Sequence, residues 1–186
     1  MISVCIPIYN FNVAPLVNEL LKQSEGTGCE IILIDDASTE HLESNMVFPD
    51  HVKMVVLEEN VGRSKIRNMF LEHANNDWLL FLDCDSLVRK PDFIDSYFKA
   101  IATIDADVIC GGRVYPENQP GSNRMLRWLY GVESESKSAE ERSREPNRSF
   151  MTNNFLIRKE LLTTIKFNEE LTQYGHEDTL FGFELK

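Results

Sequence analysis

Trp78-Leu79-Leu80-Phe81-Leu82-Asp83-Cys84-Asp85 is an unbroken apolar run that ends in two carboxylates one residue apart. So short a run, apolar at every position and without alternation, reads as a strand buried on both faces, as in a parallel sheet. Side chains two apart on an extended chain point to one side, so Asp83 and Asp85 converge past the strand end while Cys84 faces away. Two carboxylates held that close repel unless positive charge lies between them. Mg²⁺ or Mn²⁺ suits the gap, because these hard cations take one or two carboxylates and complete their shell with water and substrate phosphate. The same pair also reads as turn or cap residues ahead of a helix starting at Pro91, and the local pattern does not separate the two readings.

Outward from this strand, similar runs at 2–8, 29–34, 52–57 and 108–110 are rich in Ile, Val, Leu and Phe and read as further parallel strands. Between them, Leu16, Val17, Leu20 and Leu21 mark one amphipathic helix, and Ile66, Met69, Phe70 and His73 a second. The third, from Pro91, runs through Ile94, Tyr97, Phe98 and Ile101. Strands and helices in alternation predict βαβ crossovers and an open α/β sheet, with ligands bound beyond the carboxyl ends of the strands.

The segment 113–150 breaks the rhythm with Pro116, Pro120, Gly121 and a charged stretch from Glu133 to Glu145. It reads as a mobile polar excursion carrying one short helix at Met125–Tyr130 and otherwise loop, either functional or a solvated surface insertion with no role. Regular patterning returns at 154–157, followed by a helix at Lys159–Ile165.

A chain of 186 residues, 42% hydrophobic and 26% charged, is expected to form a single soluble domain. Its net charge of −11 argues against a nucleic-acid partner, though not against a small phosphorylated ligand held through a cation. Cys5, Cys29, Cys84 and Cys110 have no paired spacing and are expected to be free thiols in a reducing compartment. With no basic region before the first apolar run, neither a signal peptide nor a membrane span is expected.

Three further clusters carry chemistry. Asp35-Asp36 ends the second strand, placed either to accept hydrogen bonds from a ribose or base, or to cap a helix starting near Ser38. Asn60-Val61-Gly62 opens the helix of Arg67 and Asn68 at the same sheet edge, with Arg67 able to pair with the acidic cluster, to reach a phosphate, or simply to lie on a solvated helix face. Tyr174-Gly175-His176-Glu177-Asp178 sets two carboxylates at a junction, one suited to a helix N-terminus and one to a general base.

Taken in order, Val4-Cys5-Ile6-Pro7-Ile8-Tyr9-Asn10, Ile34-Asp35-Asp36-Ala37-Ser38, Asn60-Val61-Gly62 through Arg67-Asn68, Leu82-Asp83-Cys84-Asp85 and Gly175-His176-Glu177-Asp178 resemble the family 2 glycosyltransferases. The resemblance implies the GT-A fold, a Rossmann-like nucleotide-diphospho-sugar transferase fold with a mixed sheet flanked by helices. It implies inverting, metal-assisted transfer from a nucleotide sugar, UDP being the expected nucleotide, to a hydroxyl of a saccharide or glycolipid acceptor in polysaccharide biosynthesis. Pro7, Tyr9, Asn10, Asp36, Gly62, Arg67 and Asp83 would bind the nucleotide sugar, and Asp85 with Asp83 would ligate Mn²⁺ or Mg²⁺. Asp178 would be the base and Glu177 would orient the acceptor. The setting implied is the cytoplasm, with peripheral association at the inner face of a membrane. Members of the family commonly continue past the point matching Lys186, so the resemblance also implies a C-terminally shortened domain.

Two rival classes fit less well. A sugar nucleotidyltransferase would open on a glycine-rich loop with an arginine, where this chain has Pro7-Ile8-Tyr9-Asn10. A phospho-receiver domain would use Asp35, Asp36 and Asp83 but needs a lysine ending a further strand, whereas Lys137 lies in the polar excursion.

Overall fold

The computed structural model describes residues 1–49, 51–148, 150–171 and 175–186. Among these the strands β1 (Ile2–Ile8), β2 (Glu30–Asp35), β3 (Val52–Val56), β4 (Trp78–Leu82), β5 (Val108–Cys110) and β6 (Asn154–Arg158) form one sheet in the order β3-β2-β1-β4-β6-β5. The first four are parallel, and β6 is antiparallel to both β4 and β5. The helices are α1 (Ala14–Ser24), α2 (Leu42–Asn45), α3 (Arg63–His73), α4 (Phe93–Thr103), α5 (Met125–Tyr130), α6 (Ala139–Arg144), α7 (Lys159–Ile165) and α8 (Glu177–Glu184).

Alternation along each strand feeds two cores. Ile2, Val4, Ile6 and Ile8 point to one face with Leu80 and Leu82, against Leu16, Val17 and Leu20 of α1 and Ile94 and Tyr97 of α4. Cys5, Ile32, Ile34, Leu79 and Phe81 point to the other, against Ile66 and Phe70 of α3, Leu162 of α7 and Phe181 of α8. Each such Ile, Leu or Phe contributes about 1.5–3 kcal/mol by leaving water, which is why the strands read as continuous apolar runs.

Three expectations are corrected. The fifth strand does not pair with a parallel neighbour, because β6 lies between it and β4. Its direction follows from connectivity: β5 delivers the chain to the carboxyl edge of the sheet, the excursion stays there, and β6 must run back. The helix expected from Pro91 begins at Phe93, with Asp92 as N-cap. Its first free amides, Phe93 and Ile94, donate to Oε1 of Gln23 on α1 at 2.9 and 3.3 Å, so a distant side chain sets the start. The excursion is more than a helix in a loop: α5 continues into a π-helical turn at Gly131–Glu135, and α6 follows. The sequence Ser138-Ala139-Glu140-Glu141 holds α6 by a capping box, a start signal that apolar periodicity does not reveal.

The four cysteines are free thiols. Among the described residues no helix is long and apolar enough to cross a membrane.

Candidate active site

The last paired residues of β1 and β4 are Cys5 and Phe81, whereas β1 continues beside β2 as far as Ile8 and Asp35. Beyond Phe81 the two central strands part, and an open cleft of about 1490 Å³ begins there, at the carboxyl edge of the sheet. Pro7, which has no N–H to offer a ladder, lies past the last β1–β4 pair.

Pro7 and Tyr9 line the cleft, and Tyr9 is 54% exposed, its ring available for stacking. Asn10, at a φ of 48°, holds the facing loop: its Oδ1 accepts the N–H groups of Thr39 and Glu40 at 2.8 and 3.0 Å, and its own N–H donates to Ser38 Oγ at 2.8 Å. These bonds keep 38–40 out of a helix, and α2 starts only at Leu42, so the helix expected near Ser38 is displaced. Asp35 is fully buried and accepts the Ser38 N–H at 2.7 Å.

Asp36 accepts the N–H groups of Val61 at 2.7 Å and Gly62 at 3.2 Å. Gly62 is the N-cap of α3 at a φ of 84°, a left-handed conformation that favours glycine. Burial pushes the Asp36 carboxyl up despite those two bonds. Asp36 thus ties the end of β2 to the start of α3 and also lines the cleft.

The two carboxylates after β4 differ. Asp83 accepts from Nη2 of Arg67 at 3.0 Å and lies 3.8 Å from Arg113. Arg67 is 2% exposed, donates also to Thr152 Oγ1 and the Arg63 carbonyl, and sits 5.8 Å above the Phe167 ring. Burial lowers its pKa against the pull of Asp83. The positive charge beside Asp83 is therefore supplied by arginine, whereas Asp85 is exposed at the mouth of the cleft. Cys84 between them packs against the core, and burial pushes its thiol up to about 11.

Among the described residues no three His, Cys, Asp or Glu side chains are grouped to hold an ion. The donor set fits a hard cation that brings most of its shell with it: carboxylate oxygens opening onto a large cleft, Asp85 the freer and Asp83 shared with Arg67.

Glu177 and Asp178 open α8 and line the same cleft. Glu177 is 5% exposed and accepts from Nε of Arg63 on α3. Burial would raise its pKa, but the Arg63 charge and hydrogen bonding outweigh it and hold the carboxyl below the usual range. Asp178 is half-buried, and its Oδ1 accepts the N–H of Thr179 at 2.7 Å. Tyr174 lies outside the described residues.

The structure thus brings Pro7, Tyr9, Asp36, Gly62, Arg67, Asp83, Asp85, Glu177 and Asp178 to one cleft, with Asn10 behind its rim. Sequence reasoning missed Arg63, Arg113, Tyr115, Arg127 and Glu135. Glu135 gathers Arg113 at 2.9 Å, Arg127 at 3.1 Å and the Tyr115 hydroxyl, and these bonds outweigh burial to hold its carboxyl low. Only the density of arginine in the excursion hinted at this cluster.

Residues 3–166 match the family model described as Glycosyl transferase family 2. Glycosyltransferase GlyG of Streptococcus pneumoniae serotype 4 is 30% identical over 117 residues, covering 60% of this chain and 38% of that protein. The poly(ribitol-phosphate) beta-N-acetylglucosaminyltransferase TarS of Staphylococcus aureus is 30% identical over 129 residues, covering 62% of this chain and 22% of that one. The chain therefore spans well under half the length of these curated relatives. The crystal structure of S. aureus TarS superposes on 99% of the chain, and on 33% of its own, with a TM-score of 0.69 at 26% identity. The mannosyltransferase PcManGT from Pyrobaculum calidifontis, solved in complex with GDP-Man and Mn2+, gives 0.68 at 19% identity over 99% of this chain and 51% of that chain, a likeness of fold.

Proposed function

We propose, from the premise that the chain belongs to glycosyl transferase family 2 and has the GT-A fold, that it transfers a sugar from a UDP-sugar to an acceptor hydroxyl with inversion. The observation that carries this reading is the convergence of Asp36, Asp83, Asp85 and Asp178 on one cleft at the parting of β1 and β4. In it the nucleotide lies across the ends of β1 and β2, with Tyr9 against the base and Asp36 at the ribose or uracil. The diphosphate lies toward Asp85, near Arg67 and Asp83. Mn²⁺ or Mg²⁺, held by Asp85 with Asp83, would neutralise charge on the diphosphate leaving group.

Asp178 takes the proton of the acceptor hydroxyl. The acceptor oxygen then bonds to the anomeric carbon from the face opposite the diphosphate. The bond from that carbon to the diphosphate oxygen breaks, its electron pair leaving on UDP. A base on one face and a leaving group on the other give inversion by direct displacement. Fully buried strands hold the carboxylate at the end of β4, and Phe181 in the core anchors the body of α8, the helix that Asp178 helps to open. The acceptor in this reading is a saccharide or glycolipid, and the setting is the cytoplasm, with peripheral association at the inner face of a membrane.

Titration calorimetry of UDP against wild type and Asp85→Asn, with Mn²⁺ or with EDTA, tests the donor half of this reading. UDP is expected to bind wild type with Mn²⁺, and much more weakly with EDTA or in Asp85→Asn. Equal affinity in all four experiments would remove the cation from the mechanism.

A further inference from the structure

We propose that Arg63 is a positioning residue that sets Asp178 through Glu177; the inference rests on the reading of Asp178 as the base. The contacts form one continuous path. Asp36 grips the N–H groups of Val61 and Gly62, pinning the start of α3 to the nucleotide side of the cleft. Arg63 is the next residue, and its Nε donates to Oε1 of Glu177. The residue after Glu177 is Asp178.

The remainder of α8 is fixed independently. Phe181 stacks on Phe167 at 4.0 Å, and Asn147 Nδ2 donates to the Gly182 carbonyl at 2.7 Å. Gly182 packs so closely that a Cβ there would meet the Asn147 carbonyl oxygen at 2.6 Å. These contacts anchor the body of the helix without fixing how its first turn faces α3. The Arg63–Glu177 pair supplies that registration.

Energetics favour a positional role over a stabilising one. Glu177 is buried but its partner Arg63 is 41% exposed, and an ion pair with one solvent-facing member adds little to stability because water screens it. What the pair supplies is geometry, in a reaction where displacement by about 1 Å can cost roughly a hundredfold in rate. Glu177 is then engaged with Arg63 rather than with an acceptor, and the nucleotide side of the cleft and the base are held in one frame.

The test uses the full-length chain, with Arg63→Ala, Arg63→Lys, Glu177→Gln, Asp178→Asn and the double variant Arg63→Ala/Asp178→Asn. Amide hydrogen exchange, which needs no substrate, is expected to rise at Leu180, whose N–H donates to the His176 carbonyl, and at Phe181 in Arg63→Ala and Glu177→Gln, and to recover partly in Arg63→Lys. UDP release from UDP-glucose or UDP-N-acetylglucosamine, with water as acceptor, should slow roughly ten- to a hundredfold in Arg63→Ala. UDP affinity by calorimetry should change by less than about twofold, and the double variant should be no slower than Asp178→Asn alone. Unchanged exchange at α8, or additive losses in the double variant, would overturn the proposal. UDP affinity falling in step with turnover would make Arg63 a donor ligand instead. Wild-type turnover in Asp178→Asn alongside loosened exchange in Arg63→Ala would sink the assignment of the base while leaving the tie itself in place.

Discussion

The inner and outer walls of the cleft are built from opposite kinds of sequence. On the inner wall Asp35, Asp36 and Asp83 end or follow strands buried on both faces, Ile34 being 0% exposed and Leu82 2% exposed, while Glu177 and Asp178 open α8. The backbone of those strands cannot shift without disturbing a close-packed core. On the outer wall, α5 and α6 bury no residue, and Leu126, Tyr130 and Val114 remain exposed. That wall meets the inner one through Arg113 beside Asp83, with Glu135 bridging Arg113 and Arg127. The difference separates two energetic regimes. Hydrophobic burial places the strand-end carboxylates, while part-buried hydrogen bonds and ion pairs, each worth about 1 kcal/mol, shape the wall facing them.

The contrast breaks if the inner wall yields cheaply. Phe155 of β6 is fully buried, stacked on Phe81 at 4.9 Å and edge-on to Phe150 and Phe167. Phe155→Ala is expected to lower the unfolding free energy by about 3–5 kcal/mol, through lost transfer energy and the cavity left behind. Urea denaturation gives the value, and a loss below about 1 kcal/mol would mean that the sheet repacks and the inner wall is not rigid.

Asp36→Ala sharpens the same contrast, because it leaves the Val61 and Gly62 amides without their acceptor. A charge-assisted hydrogen bond is worth about 1.5–3 kcal/mol, so the variant should melt lower and bind UDP roughly ten- to a hundredfold more weakly, with or without Mn²⁺. A lower melting temperature with unchanged UDP affinity would leave Asp36 as the keeper of a turn and nothing more.

What was legible in the sequence follows this division. Strands buried on both faces were read to within a residue or so, because a run such as Trp78–Leu82 carries its own burial pattern. For Arg67 the sequence leaves pairing with the acidic cluster, a phosphate contact and a solvated helix face all open, and the 3.0 Å contact with Asp83 selects the first. The start of α4 was misplaced because its cap comes from Gln23, remote in sequence, and the place of β6 in the sheet because pairing order leaves no mark in a strand's own residues. Arg63 was passed over although it lies inside a quoted motif, since its partner Glu177 is 114 positions away and no periodicity connects them. The outer wall was least legible: α6 has neither an apolar stripe nor buried residues, and its evidence was the spacing of Ser138 and Glu141.

The smallest expected effect tests the outer wall at that point. Ser138 Oγ accepts the Glu141 N–H at 3.2 Å while the Glu141 carboxylate accepts the Ser138 N–H at 2.8 Å, closing both ends of the box. Glu140 and Glu141 in the first turn and Arg142 and Arg144 in the last complement the helix dipole. The helix also reaches the sheet, through Arg142 Nη2 on the Cys110 carbonyl at 3.2 Å. Ser138→Ala removes one acceptor from an exposed helix terminus, at a cost of about 1 kcal/mol. If the walls are energetically separate, that loss stays local: exchange at the α6 amides rises by about fivefold, while the global urea midpoint and UDP affinity hold. A drop in UDP affinity comparable to that of Asp36→Ala would show that α6 transmits to the donor site, and the division between a buried wall that places chemistry and a surface wall that faces it would not stand.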